Sequence, residues 1–161
     1  MHKGEILQRL KYCESYLSWM KNQTMIFYVD DDADDAQIVE EVFKDLGEAT
    51  CVFQDSKDMM QLLDNPPPSA SIILIDLNMP RVSGLEVLQK IRENSKFDDI
   101  PVIIISNNVQ PTKIEESKRL GANLFMTKGF TMQSIKKGFQ YVLSIDWKAF
   151  RPDDEQFIYE T

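Results

Sequence analysis

The chain of 161 residues contains a single histidine, two cysteines and no long apolar stretch. The histidine is His2, at the extreme N-terminus. That excludes a histidine-based catalytic triad and a histidine-rich metal site. Cys13 and Cys51 have no metal-ligand spacing, and read as reduced thiols of a cytoplasmic protein. No run approaches the ~20 apolar residues that a membrane helix needs, and the N-terminus has no signal-peptide pattern. Basic residues are outnumbered, 18 against 26 acidic ones, for a formal net charge of −8. Nucleic acid is therefore not an expected partner, since a basic patch must displace counterions from phosphates.

What the chain has instead is four apolar runs, each ending in a polar residue of a different kind. Met25-Ile26-Phe27-Tyr28-Val29 runs into Asp30-Asp31. Ile72-Ile73-Leu74-Ile75 runs into Asp76, and Val102-Ile103-Ile104-Ile105 into Ser106. Leu124-Phe125-Met126 leads through Thr127 to Lys128. The first three runs are apolar without alternation, as strands covered on both faces must be.

Amphipathic stretches separate the runs. Val39, Val42, Phe43 and Leu46 form a helical stripe stopped by Gly47. Thr50–Phe53 is a further short strand. Ser56 is the expected cap of a helix carrying Met59, Met60, Leu62 and Leu63, stopped by Pro66-Pro67-Pro68. Another helix begins near Gly84, with Leu85, Leu88 and Ile91 on one face. Pro111 suits the first position of a helix carrying Ile114 and Leu120, ended by Gly121. Thr131 caps a last helix with Ile135, Phe139, Val142 and Leu143 inward. The result is (βα)5, a flavodoxin-like, doubly wound α/β fold with a five-stranded parallel sheet. Residues 24–146 form this domain. Residues 1–23 are an N-terminal extension that can form an amphipathic helix, with Met20 and Met25 as alternative starts. Residues 147–161 are an aromatic-rich tail expected to pack back on the core, or else to dock a partner.

Ligands of open parallel sheets lie beyond the carboxyl ends of the strands, where all the polar residues named above fall. Three carboxylates, a hydroxyl and an ammonium group together suit Mg²⁺-assisted phosphoryl acceptance. Facing carboxylates repel unless a cation joins them, and Mg²⁺ prefers a few carboxylates plus phosphate and water. Asp76 is the natural nucleophile, giving an aspartyl phosphate. Lys128 would pair with one phosphoryl oxygen and Ser106 would donate to another. Taken singly, Ser106 reads as a turn residue and Lys128 as a solvated surface charge; four strand ends taken jointly outweigh that. Asp32, Asp34 and Asp35 read mainly as helix-start charges. Asp30, Asp32, Asp34 and Glu41 also occupy EF-hand ligand positions, but Asp35 stands where the sharp turn wants Gly.

These residues resemble the receiver domain of two-component response regulators, over about residues 25–146. Val29-Asp30-Asp31, Ile75-Asp76-Leu77-Asn78-Met79-Pro80 with Gly84, Ser106, and Phe125-Met126-Thr127-Lys128 occur in the family's order and at its spacing. Asp76-Leu77-Asn78, the long loop from Ile91 to Pro101 and the tail Ile145-Asp146-Trp147 resemble the stand-alone, phytochrome-associated regulators. The resemblance implies that Asp76 is the phosphoacceptor and that Asp31 and Asp76 bind Mg²⁺ directly. Asp30 would act through water, and the backbone carbonyl of Asn78 would complete the protein ligands. It implies that Ser106 and Lys128 hold the phosphoryl oxygens, and that Phe125 is an aromatic switch residue turning inward as Ser106 is drawn to the phosphate. One departure stands out. Gly129 follows Lys128 where the family usually has Pro after a cis bond. A cis bond to a non-proline residue costs ~3 kcal/mol, so this loop is expected to be trans or more mobile than usual.

The expected protein is thus a cytoplasmic, single-domain response regulator and not an enzyme. Its expected partners are a histidine kinase or histidine phosphotransfer protein and a downstream protein, with a homodimer left open and no membrane or nucleic acid. Two rival readings remain: a pseudo-receiver adaptor that never carries phosphate, and a haloacid dehalogenase-type phosphatase suggested by Asp30-x-Asp32.

Overall fold

Each apolar run becomes a strand, and each periodic stretch a helix on its flank. A computed structural model of the chain describes residues 24–66, 68–151, 153 and 156–161. The expected N-terminal helix, His2, Cys13 and Pro67 lie outside the described residues. The chain divides into two units, Met1–Ile73 and Leu74–Thr161, with the boundary inside one strand.

The first unit holds β1 (Thr24–Val29), α1 (Ala33–Asp45), β2 (Thr50–Phe53), α2 (Ser56–Asp64) and the first part of β3 (Ser69–Asp76). β1 and β2 are parallel, in register from Ile26 with Thr50 to Val29 with Phe53. Met25 to Val29 are buried, and the rings of Phe27 and Phe53 pack 5.2 Å apart. Val39, Val42 and Phe43 turn α1 toward the core, and Leu46 is half-buried at its end. Gly47 then takes φ 75°, a left-handed turn that favours glycine. α2 departs from expectation in its cap. Asp55, not Ser56, is the N-cap, and its carboxylate accepts from the Lys57 N–H at 2.8 Å. Asp caps as well as Ser does, and its negative charge also suits the helix start.

The second unit holds the rest of β3, then α3 (Gly84–Arg92), a 3-10 turn (Ser95–Phe97), β4 (Val102–Ser106), α4 (Pro111–Arg119), β5 (Leu124–Thr127), α5 (Met132–Ser144) and β6 (Ile158–Tyr159). Pro111 does open α4, and Thr131 caps α5 in a reciprocal pair with Ser134. Phe139 and Val142 are buried, with Ile135 and Leu143 half-buried beside them. β4 and β5 run parallel, from Ile103 with Leu124 to Ser106 with Thr127. The strands follow in the order β2-β1-β3-β4-β5-β6, β3 belonging to both units.

A sixth strand adds to the edge of the expected five-stranded sheet. Ile158 and Tyr159 of the tail pair in parallel with Phe125 and Met126. Two residues with turn signals before them are too short to read as a strand from sequence. β5 offers them an otherwise unpaired edge, and Phe157 beside them is buried.

The amino ends of β4 and β5 are tied by Arg92, at the end of α3. Its guanidinium donates to the carbonyls of Gly121 (2.9 Å), Phe97 (2.9 Å) and Ile100 (3.0 Å) and to Asn123 Oδ1 (2.8 Å). Asn123 Oδ1 also accepts from the Val102 N–H at 2.9 Å. Burial lowers the Arg92 pKa, and Asp98 nearby offsets part of that. Arg92→Leu strips these acceptors of their donor and should lower unfolding stability by about 3 kcal/mol. Urea denaturation followed by circular dichroism measures it.

Candidate functional site

In the first unit, the carboxyl end of β1 delivers the acids. Asp30 is buried, while Asp31 is exposed. Successive side chains of a strand alternate faces, so Tyr28 lies on the side of Asp30. Its hydroxyl donates to Asp30 Oδ2 at 2.6 Å, and the Asp32 N–H donates to Asp30 Oδ1 at 3.0 Å. Both Asp30 oxygens are thereby oriented. Tyr28 was legible only as an apolar-run residue; the spacing of two from Asp30 was the signal for its second role. Asp32 caps α1, accepting from the N–H groups of Asp34 and Asp35. α1 begins at Ala33, so residues 30–41 are not an EF-hand loop.

In the second unit, Asp76 is the last residue of β3. Its Oδ2 accepts from the Asn78 N–H at 2.9 Å, and its Oδ1 lies 3.6 Å from Lys128 Nζ. Both side chains of this ion pair are only 8% exposed. At that burial, removing one partner leaves an uncompensated charge, a loss of about 3–5 kcal/mol. Lys128 is also held by its backbone, whose N–H donates to the Ser106 carbonyl at 2.8 Å. Ser106 is fully buried at the end of β4. Its hydroxyl donates to the Asn108 carbonyl (2.9 Å) and accepts from Asn78 Nδ2 (3.2 Å). Asp76, Asn78, Ser106 and Lys128 thus form one bonded group. Asn78 Nδ2 was not foreseen as the link between its two ends.

Two glycines shape this group by close approach. A Cβ on Gly84 would meet the Asp76 carbonyl oxygen and come within 2.9 Å of Leu77 Cα. The first residue of α3 therefore lies directly on the backbone that carries Asp76. A Cβ on Gly129 would strike the Ser134 side chain and come within 2.9 Å of the Ile135 nitrogen. The glycine that replaces the usual proline lets the first turn of α5 press against the residue after Lys128. Phe125 is fully buried, its N–H donating to the Phe157 carbonyl at 2.8 Å. Its ring is already inside.

The model of the response regulator receiver domain matches residues 26–140. The chain belongs to this family. Among its relatives, the two-component response regulator ARR17 of Arabidopsis thaliana is 28% identical over 77% of this chain and 88% of that protein. The Mn²⁺-bound form of response regulator Rcp1 superimposes with a TM-score of 0.67 at 26% identity, over 80% of this chain and 98% of that one. The phosphorylated cyanobacterial phytochrome response regulator RcpA shares the fold, with a TM-score of 0.66 at 24% identity over 80% of this chain and 96% of that one. A phytochrome response regulator is thus among the proteins that share this fold.

Membership makes Asp30, Asp31 and Asp76 the acidic site of a receiver domain, the cluster typical of its divalent-metal and phosphorylation chemistry. It also makes the protein a phosphoacceptor rather than an enzyme, so the phosphatase reading falls. A receiver implies a histidine kinase as partner. No helix among the described residues is long and apolar enough to cross a membrane.

Two expected outcomes follow from the supports of the acids. Gly84→Ala forces the Asp76–Leu77 backbone to move, and should cost about 1–3 kcal/mol of stability in thermal denaturation. Tyr28→Phe removes the donor that orients Asp30, and should weaken divalent-metal binding by about tenfold in calorimetric titration.

Proposed function

We propose that the protein is a response regulator that takes a phosphoryl group from a phosphohistidine donor onto Asp76, dependent on Mg²⁺. One observation carries the reading: the buried pair of Asp76 and Lys128, bridged through Asn78 to Ser106. A carboxylate and an ammonium group are both costly to bury, and a site that transfers an anionic group has use for both.

The donor set fits a hard divalent ion. All the side-chain ligands are carboxylates, whose oxygens can each accept from more than one partner. Asp30, Asp31, Asp76 and the Asn78 carbonyl would hold the ion, Asp30 through water. Bound there, Mg²⁺ supplies neutralisation of charge on the transferring phosphoryl oxygens.

This chain's residues do the rest. A carboxylate oxygen of Asp76 attacks phosphorus as the P–N bond to the donor imidazole breaks. The bonding pair leaves with the ring nitrogen, which takes up a proton. Lys128, already beside Asp76, exchanges a carboxylate for a phosphoryl oxygen without leaving its place. The Ser106 hydroxyl rotates its proton away from the Asn108 carbonyl and donates to another phosphoryl oxygen. The donor is a histidine kinase or histidine phosphotransfer protein, and the output is a change in contacts with a downstream protein. Its proposed place of action is the cytoplasm.

The test is direct. With Mg²⁺ and acetyl phosphate, intact mass should rise by one phosphoryl group. Asp76→Asn, or chelation of the metal, should abolish the gain. An unchanged mass in the unmutated protein would make it a pseudo-receiver adaptor.

A further inference from the structure

Tyr28 does more than a buried strand residue is required to do. It is fully buried in β1, and so is Asp30 two residues on. The phenol O–H reaches Asp30 Oδ2 at 2.6 Å, the short distance of a hydroxyl donating to a carboxylate. The Asp32 N–H holds the other oxygen, Oδ1, at 3.0 Å. One tie comes from the strand before Asp30 and the other from the turn after it. The plane of the carboxylate is therefore set from both sides, within the first unit.

Both ties stand on firm supports. Tyr28 is in register with Val52 across β1 and β2, and the Asp30 N–H donates to the Phe53 carbonyl at 3.0 Å. Asp32 is fixed as the N-cap of α1, where its side chain accepts from the N–H groups of Asp34 and Asp35. Neither tie can shift without disturbing a strand pairing or a helix cap. Phe27 is equally buried, but alternation along the strand puts it on the other face from Tyr28 and Asp30.

A carboxylate held by each oxygen discriminates between cations. Ca²⁺ gathers about six to eight oxygens, often two from one carboxylate, in a loose shell. Mg²⁺ demands near-octahedral geometry and keeps several of its waters. The tied Asp30 can meet such a water from a fixed place. It cannot swing to give both oxygens to a larger ion.

We propose that Tyr28 is a positioning residue that makes the acidic site select Mg²⁺ against Ca²⁺, by holding Asp30 to contact through water. The inference rests on the metal site of the function proposed above. With phenylalanine at position 28, Asp30 Oδ2 loses this donor in a buried place, and the carboxylate turns toward the ion. Ca²⁺ gains most from that freedom, because its shell accepts one oxygen or two. Partners of a metal-bound carboxylate tune affinity in this way without touching the metal.

The experiment is calorimetric titration of the full chain with MgCl₂ and, separately, CaCl₂, with no phosphodonor present. In the unmutated chain Ca²⁺ should bind about tenfold more weakly than Mg²⁺. In Tyr28→Phe, Mg²⁺ binding should weaken about tenfold while Ca²⁺ binding does not, so that the preference is lost. Phe27→Leu loosens the same strand without touching Asp30, and should leave the preference unchanged. Asp32→Pro removes the N–H from Asp30 Oδ1 at a residue whose φ of −78° suits proline, and should also erase the preference. Circular dichroism reports folding of each variant, and Asp32→Pro decides the matter if Tyr28→Phe does not fold. Equal affinity for the two ions in the unmutated chain overturns the inference. An unchanged preference in the folded variants overturns it too, while the metal site stands. If neither ion binds the unmutated chain, the metal site and the inference fall together.

Discussion

The ion pair of Asp76 and Lys128 is the constraint around which the second unit is arranged. A carboxylate and an ammonium group held out of water need one another, and they need neighbours that fix their distance. Asp76 ends β3, Lys128 follows β5, and β4 lies between those strands in the sheet. The pair therefore spans three strand ends, and the middle one contributes Ser106, whose carbonyl holds the Lys128 backbone. Gly84 on one side and Gly129 on the other allow helices to press against the two charged residues without a methyl group between. The parallel architecture gathers strand ends in general; the buried pair fixes which side chains stand there.

The fold was legible because the chain is locally consistent. Unalternating β-branched runs require cover on both faces, and the 3.6-residue stripes between them supply it. Asp30, Asp31 and Asp76 were legible for a similar reason, since acids at the ends of buried strands have few structural uses. Less legible were features set by tertiary approach. Asp55 and Ser56 are both good caps, and only the backbone path chooses Asp55. Ile158 and Tyr159 become a strand because β5 offers an edge, which no local pattern announces. Gly129 read as a loosened hinge from the missing proline, whereas the packing of Ser134 against it makes it a point of close contact. Tyr28 was hidden because an aromatic in a buried run needs no further explanation.

The same geometry gives Phe125 an unusual position for a residue expected to rotate. Its ring is inside and its strand is covered by a segment of the same chain.

The Arg92 cluster gives the second unit an asymmetry of a mechanical kind. It clamps the amino ends of β4 and β5 through carbonyl and amide oxygens, with Asn123 joining the two strands. None of those acceptors titrates near neutral pH, so the clamp keeps its strength across the range in which cells operate. The opposite ends carry Ser106, Thr127 and Lys128, whose bonding changes with the charge they face. β4 and β5 are thus anchored by fixed, uncharged acceptors at the ends away from the chemistry, and by charged and hydroxyl groups at the ends where it occurs.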